Sequence, residues 1–429
     1  MWQVPFEDDL FVNRDDELHA TSQLIASLIQ DGHFPEHHRI RAIRFWGPIG
    51  AGKSWLLRYI LWLATQNSES RASSLSGVAQ GLSEQLQRCL VLRVCLIQDL
   101  DPYDQDGSLT YCRSSYPIDC SQAETEVERI LRWLIEQVIR ERGAEVAWPP
   151  QGDIQSLSER LKREIETTNV PLVLLVDGAD EQPTALIERL EAYLLQPLLA
   201  QGRTAFVLAM RVPPITHYVW SYEVREGSRD VLLHRFSSDT TREQFERASN
   251  YVVIDLSDKD VVERIIELTG GYPGANMAVA SSPTWKTGDR DALIEVLQRV
   301  ADILLTGVDD PTQEILRRLC CLRRIDPSMA RILLGKPDGP DPVRPLVRTR
   351  LIFWSRDVGA YEMDGVLRRI LEILLYLEDR DTWRKLHETA ATTYEQWSEE
   401  YPQSADIYRT EMEYHHQRQQ RDLFHEKFK

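Results

Sequence analysis

Residues 47–54 read Gly47-Pro48-Ile49-Gly50-Ala51-Gly52-Lys53-Ser54 and fit the pattern G-x-x-x-x-G-K-[ST]. Glycines in such a loop allow backbone N–H groups to surround phosphate oxygens, and the helix that follows points its N-terminus at the anion. In this pattern Lys53 reaches the β- and γ-phosphates of a nucleotide, and Ser54 ligates Mg²⁺. The flanking residues agree, because 40–46 predict a strand and the segment from Trp55 to about Thr65 predicts a helix. We therefore expect residues 47–55 to bind a nucleotide.

A second stretch complements this loop. Residues 172–176, LVLLV, form a continuous apolar run, which is typical of a strand buried on both faces of a parallel sheet. Asp177-Gly178-Ala179-Asp180-Glu181 follows at the carboxyl end of that strand, where ligands bind in α/β sheets. We expect Asp177 to hold Mg²⁺, directly or through water. Asp180 or Glu181 would position the attacking water, with Glu181 favoured, because phosphoryl transfer needs orientation more than covalent chemistry.

Strands and helices alternate along the first 256 residues. Helices are predicted at 17–30, at 121–142 and after Pro183, and further strands at 90–97, 204–210 and 251–255. Three segments read as loops or irregular structure: 67–83, 99–120 and 212–250. The alternation predicts an α/β fold with a parallel sheet. After Ser257 the pattern is helical, apart from a Pro- and Gly-rich stretch at 335–345 and a possible hairpin at 351–363.

The composition excludes several classes of protein. Of the 429 residues, 42% are hydrophobic and 27% charged, which is ordinary for a globular protein. The net charge of −17 excludes an overall basic surface for nucleic acid or anionic membrane. No apolar run approaches the roughly 20 residues of a membrane span, and the six cysteines form no C-x-x-C pair. We therefore expect a reduced, cytoplasmic protein with no membrane partner.

The order of these motifs resembles that of the STAND class of P-loop NTPases, which are signal-transduction ATPases related to AAA+ proteins. Residues 11–18, FVNRDDEL, are similar to the F-V-G-R-x-x-E-L motif near the adenine; they supply Phe11, Val12 and Arg14, with Asn13 in place of Gly. The stretch from Asp177 to Glu181 is similar to the D-G-x-D-E form of the NACHT branch. Arg211 matches the sensor arginine, which responds to the γ-phosphate. Gly270-Gly271-Tyr272-Pro273 resembles the G-x-P motif, whose proline packs against the nucleotide from a helical lid.

The resemblance also implies a domain organisation. It assigns a P-loop domain to residues 1–256, a helical lid to 257–300, a winged-helix domain to 301–380 and a helical segment to 381–429. In the class, a histidine at the end of the winged helix often contacts the ADP β-phosphate, but Asp364 takes that position here. Since an acid would repel a diphosphate, either Asp364 points elsewhere or the ADP state is held less firmly. His387, His415 and His416 are expected to lie on helix surfaces or in packing contacts, with no metal.

The resulting hypothesis is a slow ATPase that works as a regulatory switch. ATP, ADP and Mg²⁺ are the expected ligands, and nucleotide state would control assembly with protein partners or with further copies of the chain. The class's effector domain and repeat array are not found in the sequence, so we expect either separate partner proteins or a piece of a longer protein. The alternative is a DNA-associated AAA+ ATPase, because residues 311–370 hold twelve Lys/Arg and seven Asp/Glu. A metabolic kinase is disfavoured, because no motif for a second substrate appears.

Overall fold

The structure of the chain is a computed structural model that divides into two compact units. It describes residues 7, 10–12, 14–30, 32–34, 40–47, 50–65, 75–96, 109–112, 122–146, 153–178, 182–211, 226–256, 259–282, 290–305, 308–347, 349, 351–356 and 358–420. The N-terminal unit comprises Gln3–Gly47 and Gly52–Leu233, and the C-terminal unit comprises Met1–Trp2, Pro48–Ala51 and His234–Lys429. None of the described helices is both long and apolar enough to span a membrane.

The N-terminal unit is a six-stranded sheet between two layers of helices. Its strands are β1 (Ala42–Trp46), β2 (Leu90–Cys95), β3 (Thr110–Cys112), β4 (Leu172–Asp177), β5 (Thr204–Met210) and β6 (Ser228–Leu232). Its helices are α1 (Asp15–Ile29), α2 (Lys53–Thr65), α3 (Gly77–Leu86), α4 (Ala123–Glu141), α5 (Ile154–Thr167), α6 (Thr184–Leu190) and α7 (Gln196–Gln201), the last two joined by a π-helical turn, Glu191–Leu195.

All neighbouring strands of this sheet are parallel, in the order β3-β2-β4-β5-β1-β6. Leu92, Leu174 and Val176 belong to the core between the sheet and helices α4–α7. Because successive side chains alternate between the faces of a strand, Arg93 and Asp177 lie on the opposite face, the one that packs against α1–α3. The buried apolar runs of β2, β4 and β5 account for their central positions.

The C-terminal unit is helical apart from one antiparallel hairpin. Its helices are α8 (Ser238–Arg247), α9 (Lys259–Thr269), α10 (Pro273–Ala280), α11 (Arg290–Leu304), α12 (Asp310–Leu319), α13 (Pro327–Leu333), α14 (Val343–Val347), α15 (Gly365–Glu378), α16 (Arg380–Glu400) and α17 (Ala405–Gln420). The hairpin pairs β7 (Ile352–Ser355) with β8 (Ala360–Met363), as predicted for 351–363. Most residues of α15 are apolar and buried, and this helix packs against α9, α11, α12 and α16.

The predicted α/β fold is confirmed, but four local predictions were wrong. Strand β3 lies within residues 99–120, which were predicted to be irregular. Residues 251–255 form no strand; Val253 instead donates its N–H to Ala280 O at the end of α10, at 2.9 Å. The sixth strand is β6, whose largely exposed residues hid it from a search for apolar runs. Residues 77–83, predicted to be a loop, belong to α3, which Ser76 caps by accepting from Ala79 N–H at 3.3 Å. Helix α8 likewise lies in a segment predicted to be irregular.

Candidate functional site

Three strand ends meet at one edge of the sheet in the N-terminal unit. The phosphate-loop residue Gly47 follows β1, Asp177 ends β4, and Arg211 follows β5, which lies between the other two strands. Backbone hydrogen bonds continue beyond the strands, from Gly47 N to Met210 O at 3.2 Å and from Gly178 N to Ala209 O at 3.3 Å. The fold thus places Gly47, Asp177 and Arg211 at the carboxyl edge, where α/β sheets bind ligands.

The phosphate loop has the backbone that its sequence predicts. Gly50 and Gly52 take φ angles of 81° and 89°, a left-handed conformation that favours glycine. Helix α2 begins at Lys53, so that Lys53, Ser54 and Trp55 form its first turn, whose backbone N–H groups point towards the N-terminus of the helix. Lys53 Nζ donates to Gly47 O at 2.8 Å, a bond that would exchange for phosphate oxygens. Pro48 and Ile49, also predicted to bind nucleotide, lie outside the described residues.

The Asp177 carboxylate is almost completely buried and is paired with an arginine. Arg93 Nη2, on the neighbouring strand β2, donates to Asp177 Oδ2 at 3.1 Å. A carboxylate and a hydroxyl are the oxygen ligands that Mg²⁺ prefers, so Asp177 and Ser54 fit that cation chemically. The sequence analysis did not identify Arg93. An arginine within the apolar run LVLRVCLI was nevertheless a signal, because a buried charge requires a partner.

The turn after β4 is held by a glutamine that the sequence did not single out. Gln182 is buried, and its Nε2 donates to Leu96 O at 2.9 Å and to Gly178 O at 3.1 Å. Gly178 itself has a φ of 72°. Ala179, Asp180 and Glu181, which include the predicted catalytic carboxylates, lie outside the described residues. Arg211, the predicted sensor, is half-buried directly after β5.

The N-terminal motif packs against the helix of the phosphate loop. The Phe11 ring stacks on Tyr59 of α2, with ring centroids 3.8 Å apart and planes within 6°. Val12 is buried, and Arg14 forms a buried ion pair with Glu17 at 3.1 Å. The structure thus gives each of the three predicted residues a packing contact or an ion-pair partner, and it shows Tyr59 as the partner of Phe11.

In the C-terminal unit, the predicted lid proline adjoins phosphate-loop backbone. Pro273 is buried at the start of α10, and the next residue, Gly274, donates its N–H to Gly50 O at 2.8 Å. The two backbones are so close that a Cβ on Gly274 would lie 3.0 Å from Gly50 Cα, and a Cβ on Gly50 would lie 3.1 Å from Ala275 N. Gly50 therefore favours glycine through both its positive φ and this contact, and a side chain at Gly274 would require the two backbones to move apart.

A buried polar network fixes the turn that carries Pro273. Gln244 Nε2 donates to Pro273 O at 2.9 Å, and Asn276 Nδ2 donates to Thr241 Oγ1 at 3.3 Å. Thr269 donates its hydroxyl to Asn276 Oδ1 and accepts from Gly271 N–H at 3.2 Å. Because unpaired polar groups are costly to bury, this network holds the 269–276 turn in one shape. The sequence motif includes Gly271 and Pro273 but not the supporting side chains of Thr241, Gln244, Thr269 and Asn276.

The acid at the position of the class's histidine serves as a helix cap. Asp364 is buried and accepts from the N–H groups of Val366 and Leu367, both at 3.1 Å, at the start of α15. Of the two possibilities left open by the sequence, the first is therefore observed: its carboxylate is engaged within the protein. His387 and His415 are fully buried with their Nδ1 atoms 2.8 Å apart, which confirms a packing role, whereas His416 is exposed.

Comparisons with known proteins agree with this fold. Residues 38–212 match the family described as "AAA domain". A Walker-type ATPase of Pyrococcus abyssi has a TM-score of 0.51 and 15% identity, over 86% of this chain and 99% of that chain. Cdc6p of Pyrobaculum aerophilum has a TM-score of 0.42, 11% identity and coverages of 87% and 98%. The Orc1 protein of Aeropyrum pernix, solved in complex with DNA, has a TM-score of 0.42, 14% identity and coverages of 87% and 94%. No curated protein matches the chain.

The chain therefore has an α/β P-loop NTPase fold, and residues 38–212 match the AAA-domain model.

Proposed function

We propose that this protein is an ATP-binding and ATP-hydrolysing switch of the STAND type, in which nucleotide state controls conformation and assembly with protein partners or further copies. The observation that carries the proposal is the meeting of Gly47, Asp177 and Arg211 at one sheet edge, with β5 between the loop strand and the acidic strand. That arrangement would allow a phosphate loop, a metal-binding carboxylate and a sensor arginine to act on one ligand.

In this proposal each residue has a separate task. Lys53 binds the β- and γ-phosphates, Ser54 and Asp177 hold Mg²⁺, and Glu181, or else Asp180, orients the attacking water. When bound, Mg²⁺ neutralises charge on the phosphates. Arg211 contacts the γ-phosphate and so distinguishes ATP from ADP. Phe11, Val12 and Arg14 border the adenine, as the resemblance implies.

The switch itself would act through the Pro273 turn. Gly274 donates to the carbonyl of Gly50, a residue of the phosphate loop, so a nucleotide that changes the loop backbone also changes this contact. The rigid network around Asn276 would carry that change into α8, α9 and α10. We assign residues 257–300 to the lid, 301–380 to a winged-helix domain and 381–429 to the C-terminal segment. Helices α12–α14 followed by the β7–β8 hairpin support the winged-helix assignment.

The direct test is ligand-induced stabilisation of Lys53→Ala. Saturating ATP–Mg²⁺ at about 100 times Kd should stabilise the wild type by roughly 2.7 kcal/mol, measured as a rise in Tm. The variant should show no such rise, because it lacks the cation that the loop provides for the phosphates. Lys162→Ala is the matched control, since Lys162 lies on α5 and pairs with Glu159 at 3.3 Å. An unchanged ATP-induced shift in Lys53→Ala would refute the nucleotide site.

A second candidate function, DNA binding, is favoured by one observation. Several cations of the 311–370 segment have partners: Arg317 with Glu378, Arg318 with Glu314, Arg323 with Glu411 and Arg368 with Glu372. Within the described residues, Lys336, Arg344 and Arg356 are exposed and have no partner, and Trp354 of the hairpin is 39% exposed. Salt-dependent binding of duplex DNA that is lost in Arg344→Ala/Arg356→Ala would support this function. No binding at low salt would remove it.

A further inference from the structure

The proposed Mg²⁺ ligand has a buried partner to which the proposed function gives no task. Arg93 is 0% exposed within β2, and its Nη2 lies 3.1 Å from Asp177 Oδ2, whose side chain is 2% exposed. A surface ion pair contributes little, but a charge at this depth is tolerated only with a partner. Arg93 therefore cannot be explained as a solvated surface residue.

The strand register makes the pair specific. Arg93 lies opposite Leu175 of β4 and Thr110 of β3, while Asp177 lies opposite Cys95, two residues further along β2. The arginine thus reaches diagonally along one face of the sheet to the last residue of β4. Its contact uses Oδ2, and among the described residues Oδ1 of Asp177 accepts no hydrogen bond. One carboxylate oxygen is held, and the other is left for a ligand.

We infer that Arg93 is a positioning residue for Mg²⁺–nucleotide binding, which holds Asp177 by Oδ2 and leaves Oδ1 for the cation. The inference rests on the proposed function. Partners that orient a metal-binding carboxylate commonly determine metal affinity, and their loss typically costs 10- to 100-fold.

The test compares Arg93→Met, which removes the donor and the charge, with Arg93→Lys, which keeps a charged donor. Fluorescent mant-ATP is titrated against each full-length protein in EDTA and at increasing Mg²⁺ concentration. Arg93→Met should leave binding in EDTA unchanged and weaken Mg²⁺-dependent binding on the order of 10-fold or more. Arg93→Lys should recover most of that loss.

The matched control is Arg44→Met. Arg44 is also a buried strand arginine with one carboxylate partner, Asp230 at 2.7 Å, but it lies on β1 and on the opposite face of the sheet. Its loss should lower Tm, as in Arg93→Met, without changing the Mg²⁺ dependence. If Arg93→Met does not fold, Arg93→Gln, which keeps a neutral donor, is titrated instead, and the same direction of change is expected.

Each other outcome overturns the inference. Wild-type Mg²⁺ dependence in Arg93→Met, or in Arg93→Gln, would show that the pair serves folding alone. An equal loss of mant-ATP affinity in EDTA and in Mg²⁺ would also show that the pair serves folding alone. If the wild type bound no mant-ATP in either buffer, the proposed function would fail and this inference with it. If the wild type bound in a Mg²⁺-dependent way and only the Arg93 result failed, the proposed function would stand.

Discussion

At the scale of single residues, the carboxylates of the 177–181 stretch have different proposed tasks, so their variants should separate. Glu181→Gln should keep ATP–Mg²⁺ binding and slow hydrolysis roughly 100-fold, because it loses the group that orients water. Asp177→Asn should instead weaken Mg²⁺-dependent binding. Steady-state phosphate release and mant-ATP titration measure the two effects. Glu188→Gln, an exposed glutamate on α6, is the matched control.

The same assay decides between the two candidate catalytic acids. Normal hydrolysis in Glu181→Gln together with inactive Asp180→Asn would reverse their assignment. Normal hydrolysis in both variants would exclude this stretch as the source of the catalytic carboxylate.

Residues whose chemistry is local could be predicted from the sequence, and residues whose role depends on a distant partner could not. Gly50, Gly52 and Lys53 are recognisable because a phosphate loop needs those residue types at fixed spacing. Arg93 acquires its role only when β2 pairs with β4. Because Asp177 lies 84 residues further along the chain, nothing near Arg93 in the sequence points to it. The capping role of Asp364 was not identified from the sequence, although an Asp directly before the apolar run of α15 is a common helix-capping signal.

At the scale of elements, helices α15, α16 and α17 enclose a set of buried titratable groups. Glu372 is fully buried, and burial raises the pKa of its carboxyl. The His387 ring, with Nε2 at 3.6 Å from Oε1, and the charges of Arg418 and Arg368 outweigh this effect and lower the pKa to about 2. Burial, together with the neighbouring His387, lowers the pKa of His415 to about 2. The helices therefore enclose an ionised Glu372 and a neutral His415 at neutral pH.

These helices should lose stability in acid, beginning near pH 6.5. His415 stays neutral in the folded protein down to a pKa of about 2, whereas the unfolded chain binds its proton below about 6.5. Because the unfolded state binds more protons in that window, each such group costs about 1.4 kcal/mol per pH unit as pH falls. Glu372 adds to the loss below its ordinary value of 4.5.

Hydrogen exchange of peptides from α15–α17, corrected for the intrinsic pH dependence, measures this opening free energy. His415→Gln should reduce the pH dependence between pH 6.5 and 4.5, whereas the exposed neighbour His416→Gln should not. The titratable and charged groups that face Glu372 and His415, and that therefore also influence this pH dependence, are Arg368, Arg418, Tyr414, Arg323 and His387. Opening free energies that do not change from pH 7 to pH 5 in the wild type would contradict the assignment.

Elements were predictable where burial leaves a clear pattern. The runs of β4 and β5 are apolar throughout, because both faces of a central parallel strand are covered. Edge strand β6 has exposed polar residues and gives no such signal. Residues 251–255 carry apolar side chains for another reason, since they lie within the helical C-terminal unit, where Val253 bonds to Ala280 rather than to a strand. An apolar run reports burial, and burial alone does not distinguish a strand from a packed loop.

At the scale of the whole molecule, the central claim is that ATP and ADP stabilise different states. A protein without a second substrate can use ATP only if its conformations bind the two nucleotides differently. Arg211 follows core strand β5 at the carboxyl edge of the sheet, and the Gly274–Gly50 bond joins the turn at Pro273 to the phosphate loop. The net charge of −17 opposes spontaneous self-association, so nucleotide or a partner must supply the bias.

The most direct test is size-exclusion chromatography with in-line light and small-angle X-ray scattering, run with ADP, with ATP and with a slowly hydrolysed ATP analogue. Mass or radius of gyration should differ between the ADP and analogue states of the wild type, and Arg211→Ala should bind both nucleotides but lose the difference. Lys53→Ala should have the same mass and the same radius of gyration with each of the three nucleotides. An identical mass and radius in every nucleotide state, with and without candidate partners and with nucleotide binding verified, would contradict the switch.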